Sequence, residues 1–146
     1  MNRSSRVGNT WIRSLVRNIP LYKLMGMRLT KLNPGRVEMR MRISKKLTQD
    51  TGIAHGGVIA ALVDSVIGLA LWSLANQTDQ IVTIELKVNY LAPAKPGLIK
   101  ATGKILRKGG HIAFGTSEVR DHRGLLVATG SATYMTFFDR TLVNPH

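Results

Sequence analysis

The chain has 146 residues, 21 Lys and Arg against 8 Asp and Glu for a net charge of +13, and no cysteine. That length suits one domain burying roughly two-thirds of its unfolded surface, and the lack of cysteine excludes disulfides, thiolate nucleophiles and Cys-ligated metal sites. The charge is lopsided: residues 1 to 46 carry 12 basic side chains against Glu38 alone, whereas residues 47 to 146 carry 9 basic and 7 acidic.

The first residues show neither an apolar run nor a small-residue cleavage pattern, so the expected location is the cytoplasm. Residues 1–9 read as disordered, and residues 10–19 as an amphipathic helix, with Trp11, Leu15 and Ile19 on one face and Arg13 and Arg17 on another. Pro20 ends it, making residues 1–19 a basic extension packed on the domain that begins at residue 20. A short strand near residues 27–32 turns at Asn33-Pro34-Gly35. In the next strand Val37, Met39, Met41 and Ile43 alternate with Arg36, Glu38, Arg40 and Arg42, so the charged positions read as a solvated sheet face.

Val58 to Ala75 is apolar apart from Asp64, a glycine and two serines. The central carboxylate and modest length favour a buried core helix over a membrane span. Four strand-like stretches follow, residues 81–91, 98–107, 111–120 and 125–137, and residues 139–146 read as a tail. The element order gives an α+β domain whose antiparallel sheet covers a helix that is apolar nearly all round. A sheet covers one side only, so the other side is expected to meet a second copy of the chain.

His55-Gly56-Gly57 stands directly before the long helix. Glycines there let a ligand approach the backbone, and the first helix amides, with the dipole behind them, suit an oxyanion. A tight loop-to-helix entry capped by His55 accounts equally well for these residues. Asp64 follows Gly56 by eight residues and is the only ionisable group between His55 and Asp79. A carboxylate on so apolar a helix is costly unless it is exposed, catalytic, or hydrogen-bonded to a hydroxyl such as Ser65 or Thr83.

Taken together, Gln49-x5-His55-Gly56-Gly57, Asp64, the segment from Val82-Thr83 through Tyr90 to Pro93-Ala94, and Arg107-Lys108-Gly109-Gly110 resemble the hot-dog fold acyl-CoA thioesterases of the phenylacetate-pathway type, over about residues 20–137. The resemblance implies a hot-dog fold, with the sheet wrapped around the long helix. It also implies a homodimer whose sheet continues across the interface, commonly doubled to a homotetramer, with active sites between protomers. It makes Gly56, with Gly57, the holder of the thioester carbonyl oxygen, and Asp64 of the opposite protomer the nucleophile or general base. Gln49 would contact the thioester or attacking water, Thr83 would orient the water or carboxylate, and His55 would position the loop. Gly68 departs from relatives that carry a hydroxyl one turn after the carboxylate. Neither cofactor nor metal is expected.

For the CoA phosphates, Lys95, Arg107 and Lys108 fall at strand ends and turns. His111, His122 and His146 show no metal-ligand spacing. Three other readings compete: a non-catalytic acyl-CoA or lipid-binding module, a hot-dog dehydratase whose Asp/His arrangement is not evident, and a basic N-terminal region that binds an anionic membrane or nucleic acid. Only Trp11 and Tyr22 interleave with those basic residues, so base stacking has little support, and neither nucleic acid nor integral membrane association is expected. Trp72 either shortens an acyl pocket or fills the core.

Overall fold

The computed structural model describes the backbone of residues 3–138 and the side chains of residues 10–137. The elements run α1 (Arg3–Asn18), α2 (Pro20–Met25), β1 (Arg28–Asn33), β2 (Arg36–Ile43), a 3-10 turn (Lys45–Leu47), α3 (Gly56–Trp72), β3 (Asp79–Tyr90), β4 (Gly97–Lys108), β5 (Ile112–Asp121) and β6 (Leu126–Phe138). Helix α1 thus starts at Arg3, where disorder was expected, and the tail expected at residues 139–146 lies outside the described residues.

All six strands pair antiparallel in one sheet ordered β1-β2-β4-β5-β6-β3, wrapped around α3. Their alternation sends Val37, Met39, Met41, Ile43, Ile99 and Ala101 inward against Leu62, Val66, Ile67 and Leu71 of α3. The helix lies close to the sheet because glycines stand beneath it. A Cβ on Gly103 would collide with the Val66 carbonyl oxygen and lie 2.9 Å from the Ile67 nitrogen, and one on Gly130 would collide with the Val63 side chain. At the far end of α3, Ser73 Oγ donates to the Ala70 carbonyl (2.6 Å) and accepts the Gly35 N–H (2.7 Å), tying the helix C-terminus to the Pro34-Gly35 turn, where Gly35 holds φ +70°.

Two expectations change in detail. Glu38 lies on the outer sheet face yet is only 6% exposed, because the side chains of Lys31, Arg40 and Lys100 reach over it and Thr30 Oγ1 donates to its Oε1 at 2.8 Å. The open side of α3 is partly covered by the chain itself: Ile12 and Val16 of α1 are buried, and Trp11 stacks on Trp72 with centroids 5.5 Å apart. What stays half-exposed is the stripe through Ala60, Ala61, Asp64 and Gly68. Among the described residues no helix is long and apolar enough to cross a membrane.

Candidate active site

Helix α3 opens at His55, extended at φ −62° and ψ 137°, whose Nδ1 accepts the Gly57 N–H at 2.9 Å. A neutral imidazole accepting at Nδ1 carries its proton on Nε2, so the ring presents an N–H outward while capping the helix. The amides of Val58 and Ile59 both reach the His55 carbonyl. Three of the four leading amides are therefore occupied, and of these four only the Gly56 N–H has no protein acceptor among the described residues. The Gly56 carbonyl is fixed from behind by the Tyr90 hydroxyl, which donates to it at 2.7 Å. A pocket of about 330 Å³ lies here, lined by Gln49, Gly56, Tyr90, Ala92 and Pro93 among others. Gln49 Nε2 donates to Thr51 Oγ1 at 2.9 Å, and Lys95 is exposed just beyond the wall formed by residues 91–94.

Asp64 is held at a different place. Thr83 Oγ1 and the Tyr134 hydroxyl each lie 2.9 Å from the same oxygen, Oδ1, while Oδ2 has no protein donor among the described residues. Tyr134 also lies 2.8 Å from the Asp64 backbone carbonyl. Burial first, and then the Asp64 carboxylate, raise the Tyr134 pKa well above the usual phenol value, so this hydroxyl stays a donor throughout the working pH range. Burial also raises Tyr22, against a hydrogen bond with Ser65 and with a contribution from Asp64. Thr83 reaches Asp64 from a bulge: the register of β3 against β6 slips between Thr83 and Glu85, leaving Ile84 as the extra residue. Such bulges re-aim neighbouring side chains.

The residues singled out from the sequence thus fall into two groups. Gln49, His55, Gly56, Gly57 and Lys95 gather at the start of α3, with the Gly57 amide already engaged by His55. Asp64 and Thr83 line a second groove of about 250 Å³. The β4 terminus carrying Arg107 and Lys108 shares that end of the sheet, since Thr83, Tyr134, Ala113 and Lys108 stand in one transverse row of paired residues. Gly56 and Asp64 are eight residues apart on one helix, about 12 Å along its axis. A single carbonyl with its attacking oxygen spans roughly 3 Å, so one chain does not bring these groups onto one thioester.

Neither tyrosine was singled out for chemistry from the sequence. Tyr134 lies seventy residues beyond Asp64 in a strand with ordinary alternation, and only the β6–β3 pairing reveals its role. Tyr90 stands at the end of its strand, 34 residues after Gly56, and only the fold brings its hydroxyl to the Gly-Gly loop.

The sequence pattern of the thioesterase superfamily matches residues 51–128. Human acyl-coenzyme A thioesterase 13 is 31% identical over 107 residues, covering 72% of this chain and 76% of that protein. The medium/long-chain acyl-CoA thioesterase YigI of Escherichia coli K12 is 27% identical over 135 residues, covering 82% and 87%. Among solved structures, a thioesterase family protein from Silicibacter pomeroyi superposes with TM-score 0.86 at 29% identity over 90% of this chain and 99% of that one. The PaaI protein of the E. coli phenylacetic acid degradation operon superposes at 0.84 with 18% identity, over 91% and 95%, a likeness of fold: the hot-dog.

Proposed function

Because the chain belongs to the thioesterase superfamily, a family of thioester hydrolases, we propose that it hydrolyses acyl-CoA to the free acid and CoA, with Asp64 as general base or nucleophile and the Gly56 N–H as oxyanion donor. The observation that carries this reading is the asymmetric anchoring of Asp64, a residue that lines the groove: Thr83 and Tyr134 hold one carboxylate oxygen and leave the other without a protein donor among the described residues. A carboxylate fixed in this way is oriented for proton abstraction or attack without a rotamer search.

The distance between the two groups supports a site shared by two copies. Strand β3 is a sheet edge with Val82 (42%), Ile84 (56%) and Leu86 (37%) exposed along it. An unpaired apolar edge of this kind is normally covered. Antiparallel two-fold pairing through β3 lays the Tyr90 end of one strand beside the Thr83 end of the other, so Gly56 of one copy approaches Asp64 of its partner. In that homodimer, itself able to double to a tetramer, water attacks the thioester carbon as Asp64 Oδ2 takes its proton, and Gly56 N–H holds the developing oxyanion. The C–S bond then breaks, and the CoA sulfur leaves with the proton held by Asp64. Direct attack by Asp64 would instead break the C–S bond, expel the CoA thiolate and form a mixed anhydride, which water opens to the free acid and the Asp64 carboxylate, the released proton going to the thiolate. Gln49 faces the carbonyl or water, His55 keeps the loop in place, and Lys95 with Arg107 and Lys108 of the other copy receives CoA phosphates. Residues 20–138 form the catalytic unit and residues 1–19 the extension, in a cytoplasmic enzyme.

The test is thiol release from a panel of short, long and aromatic acyl-CoAs by wild type and Asp64→Asn. Turnover that disappears in the variant is expected. Equal turnover in both refutes the role of Asp64, and tight acyl-CoA binding without thiol release by wild type identifies a binding module instead.

A further inference from the structure

The groove beside Asp64 runs along one face of α3, with Asp64, Gly68 and Trp72 at successive i, i+4 positions. Its other walls include Ile19 and Leu21 of the α1–α2 segment and Ile81 of β3, the hydroxyls of Tyr22, Ser65, Thr83 and Tyr134 stand around Asp64, and no basic residue lines it. A groove with aliphatic walls and an indole beyond the hydroxyls around Asp64, and with no cation, is unsuited to CoA phosphates and suited to a hydrocarbon chain. Gly68, halfway along, adds no side chain to the floor, so the slot stays open until the indole of Trp72. That indole is not free-standing. Trp11 of α1 stacks on it at 5.5 Å with planes inclined by 33°, and α1 is itself anchored by buried Ile12 and Val16.

We propose, building on the acyl-CoA reading above, that this slot holds the acyl chain, that Trp72 closes its end, and that Trp11 positions Trp72, which makes the enzyme selective for medium-chain acyl groups. Two estimates agree on the length. From Asp64 to Trp72 is about 12 Å along the helix, room for roughly nine or ten carbons of an extended chain built from ~1.5 Å bonds. The groove volume of about 250 Å³ holds about eight groups of water-like size at ~30 Å³ each. The N-terminal extension thereby has a task in substrate choice, through Trp11, rather than in catalysis.

The experiment is kcat/KM across a saturated acyl-CoA series from short to long chains, for wild type, Trp72→Ala, Trp72→Phe and Trp11→Ala. The wild-type optimum is expected at about eight to ten carbons, falling for longer chains. Each further methylene that finds an apolar wall is worth about fourfold in kcat/KM, so Trp72→Ala should raise the long-to-medium ratio by about tenfold or more. Trp11→Ala should move the ratio the same way by less, and Trp72→Phe should keep the wild-type profile. If Trp72→Ala does not fold, Trp11→Ala carries the test, since that residue sits on a surface helix. Unchanged chain-length profiles in the alanine variants, or a wild-type optimum at the shortest or longest chains, overturn the assignment of the slot while Asp64→Asn remains inactive. An active Asp64→Asn would instead overturn the underlying mechanism.

Discussion

Removing the two hydroxyls that grip Asp64 separates positioning from chemistry. Tyr134 is 2% exposed and Thr83 lies on the exposed edge strand, yet both bond Oδ1 at 2.9 Å. A hydrogen bond to a charged group contributes about 1.5–3 kcal/mol, the upper part of that range belonging to the buried partner. At 1.36 kcal/mol per tenfold, Tyr134→Phe should lower kcat/KM by between about tenfold and a hundredfold, and Thr83→Val by up to about tenfold. Each single variant leaves one anchor on the carboxylate, whereas the double variant frees it to rotate. The double loss should therefore exceed the product of the singles, with a coupling of about 1 kcal/mol. Thiol-release kinetics on the four proteins, with circular dichroism to verify folding, reads this directly. If both singles and the double keep kcat/KM within about twofold of wild type while Asp64→Asn is inactive, the hydroxyls do not position the carboxylate.

Gly103→Ala forces a methyl group into the α3 backbone at Val66, an overpacking that should cost about 1–3 kcal/mol or more in urea unfolding, while Gly68→Ala, whose Cβ would rest 3.7 Å from the Tyr134 ring, should leave stability unchanged or raised. Burial raises the pKa of Glu38, but the Thr30 hydrogen bond and the charges of Lys31 and Lys100 outweigh it and hold the carboxyl below its ordinary 4.5. A depressed folded-state pKa stabilises the fold above the unfolded value and loses that contribution as pH falls through the folded value. The stability gap between wild type and Glu38→Gln should accordingly be widest near neutrality and close in acid; a gap independent of pH contradicts this. Ile84→Asp should shift the protein toward monomer in sedimentation and lower activity together, because it charges the edge that pairs two copies. An active monomer would refute the shared site.

How far the sequence carried the structure follows from the range of the interactions involved. Alternation over Val37 to Ile43 and the apolar run after Gly57 are local patterns, and they marked β2 and α3 before any tertiary contact was known. Asp64 stood out because a lone carboxylate on an apolar helix demands a reason. Its two hydroxyl partners did not stand out equally: Thr83 was a candidate, but Tyr134 depends on pairing between strands whose order, with β3 beside β6 rather than β4, no local pattern sets. Glu38 looked solvated because alternation reports which face a residue occupies, not whether its neighbours' long side chains fold over it. The start of α1 was misplaced because a polar first turn resembles disorder when only apolar periodicity is read. The division of the site between the two ends of α3 needed the helix itself, since eight residues become a fixed ~12 Å only once they are helical.

A mixed-dimer experiment bears most directly on that division. Gly56→Pro deletes the free amide at a helix position that tolerates proline, after a His55 whose extended φ and ψ suit a following proline, and requires the Tyr90 hydroxyl, 3.2 Å from a Cβ placed there, to shift by a few tenths of an ångström. Alone, it should lose on the order of a hundredfold or more in kcat, and Asp64→Asn should be inactive. Unfolded together and refolded in equal amounts, the two should regain about a quarter of wild-type activity, since half of the dimers are mixed and each of those holds one intact site. No regained activity, with mixed dimers shown to have formed, would contradict a thioesterase site built from Gly56 of one copy and Asp64 of the other.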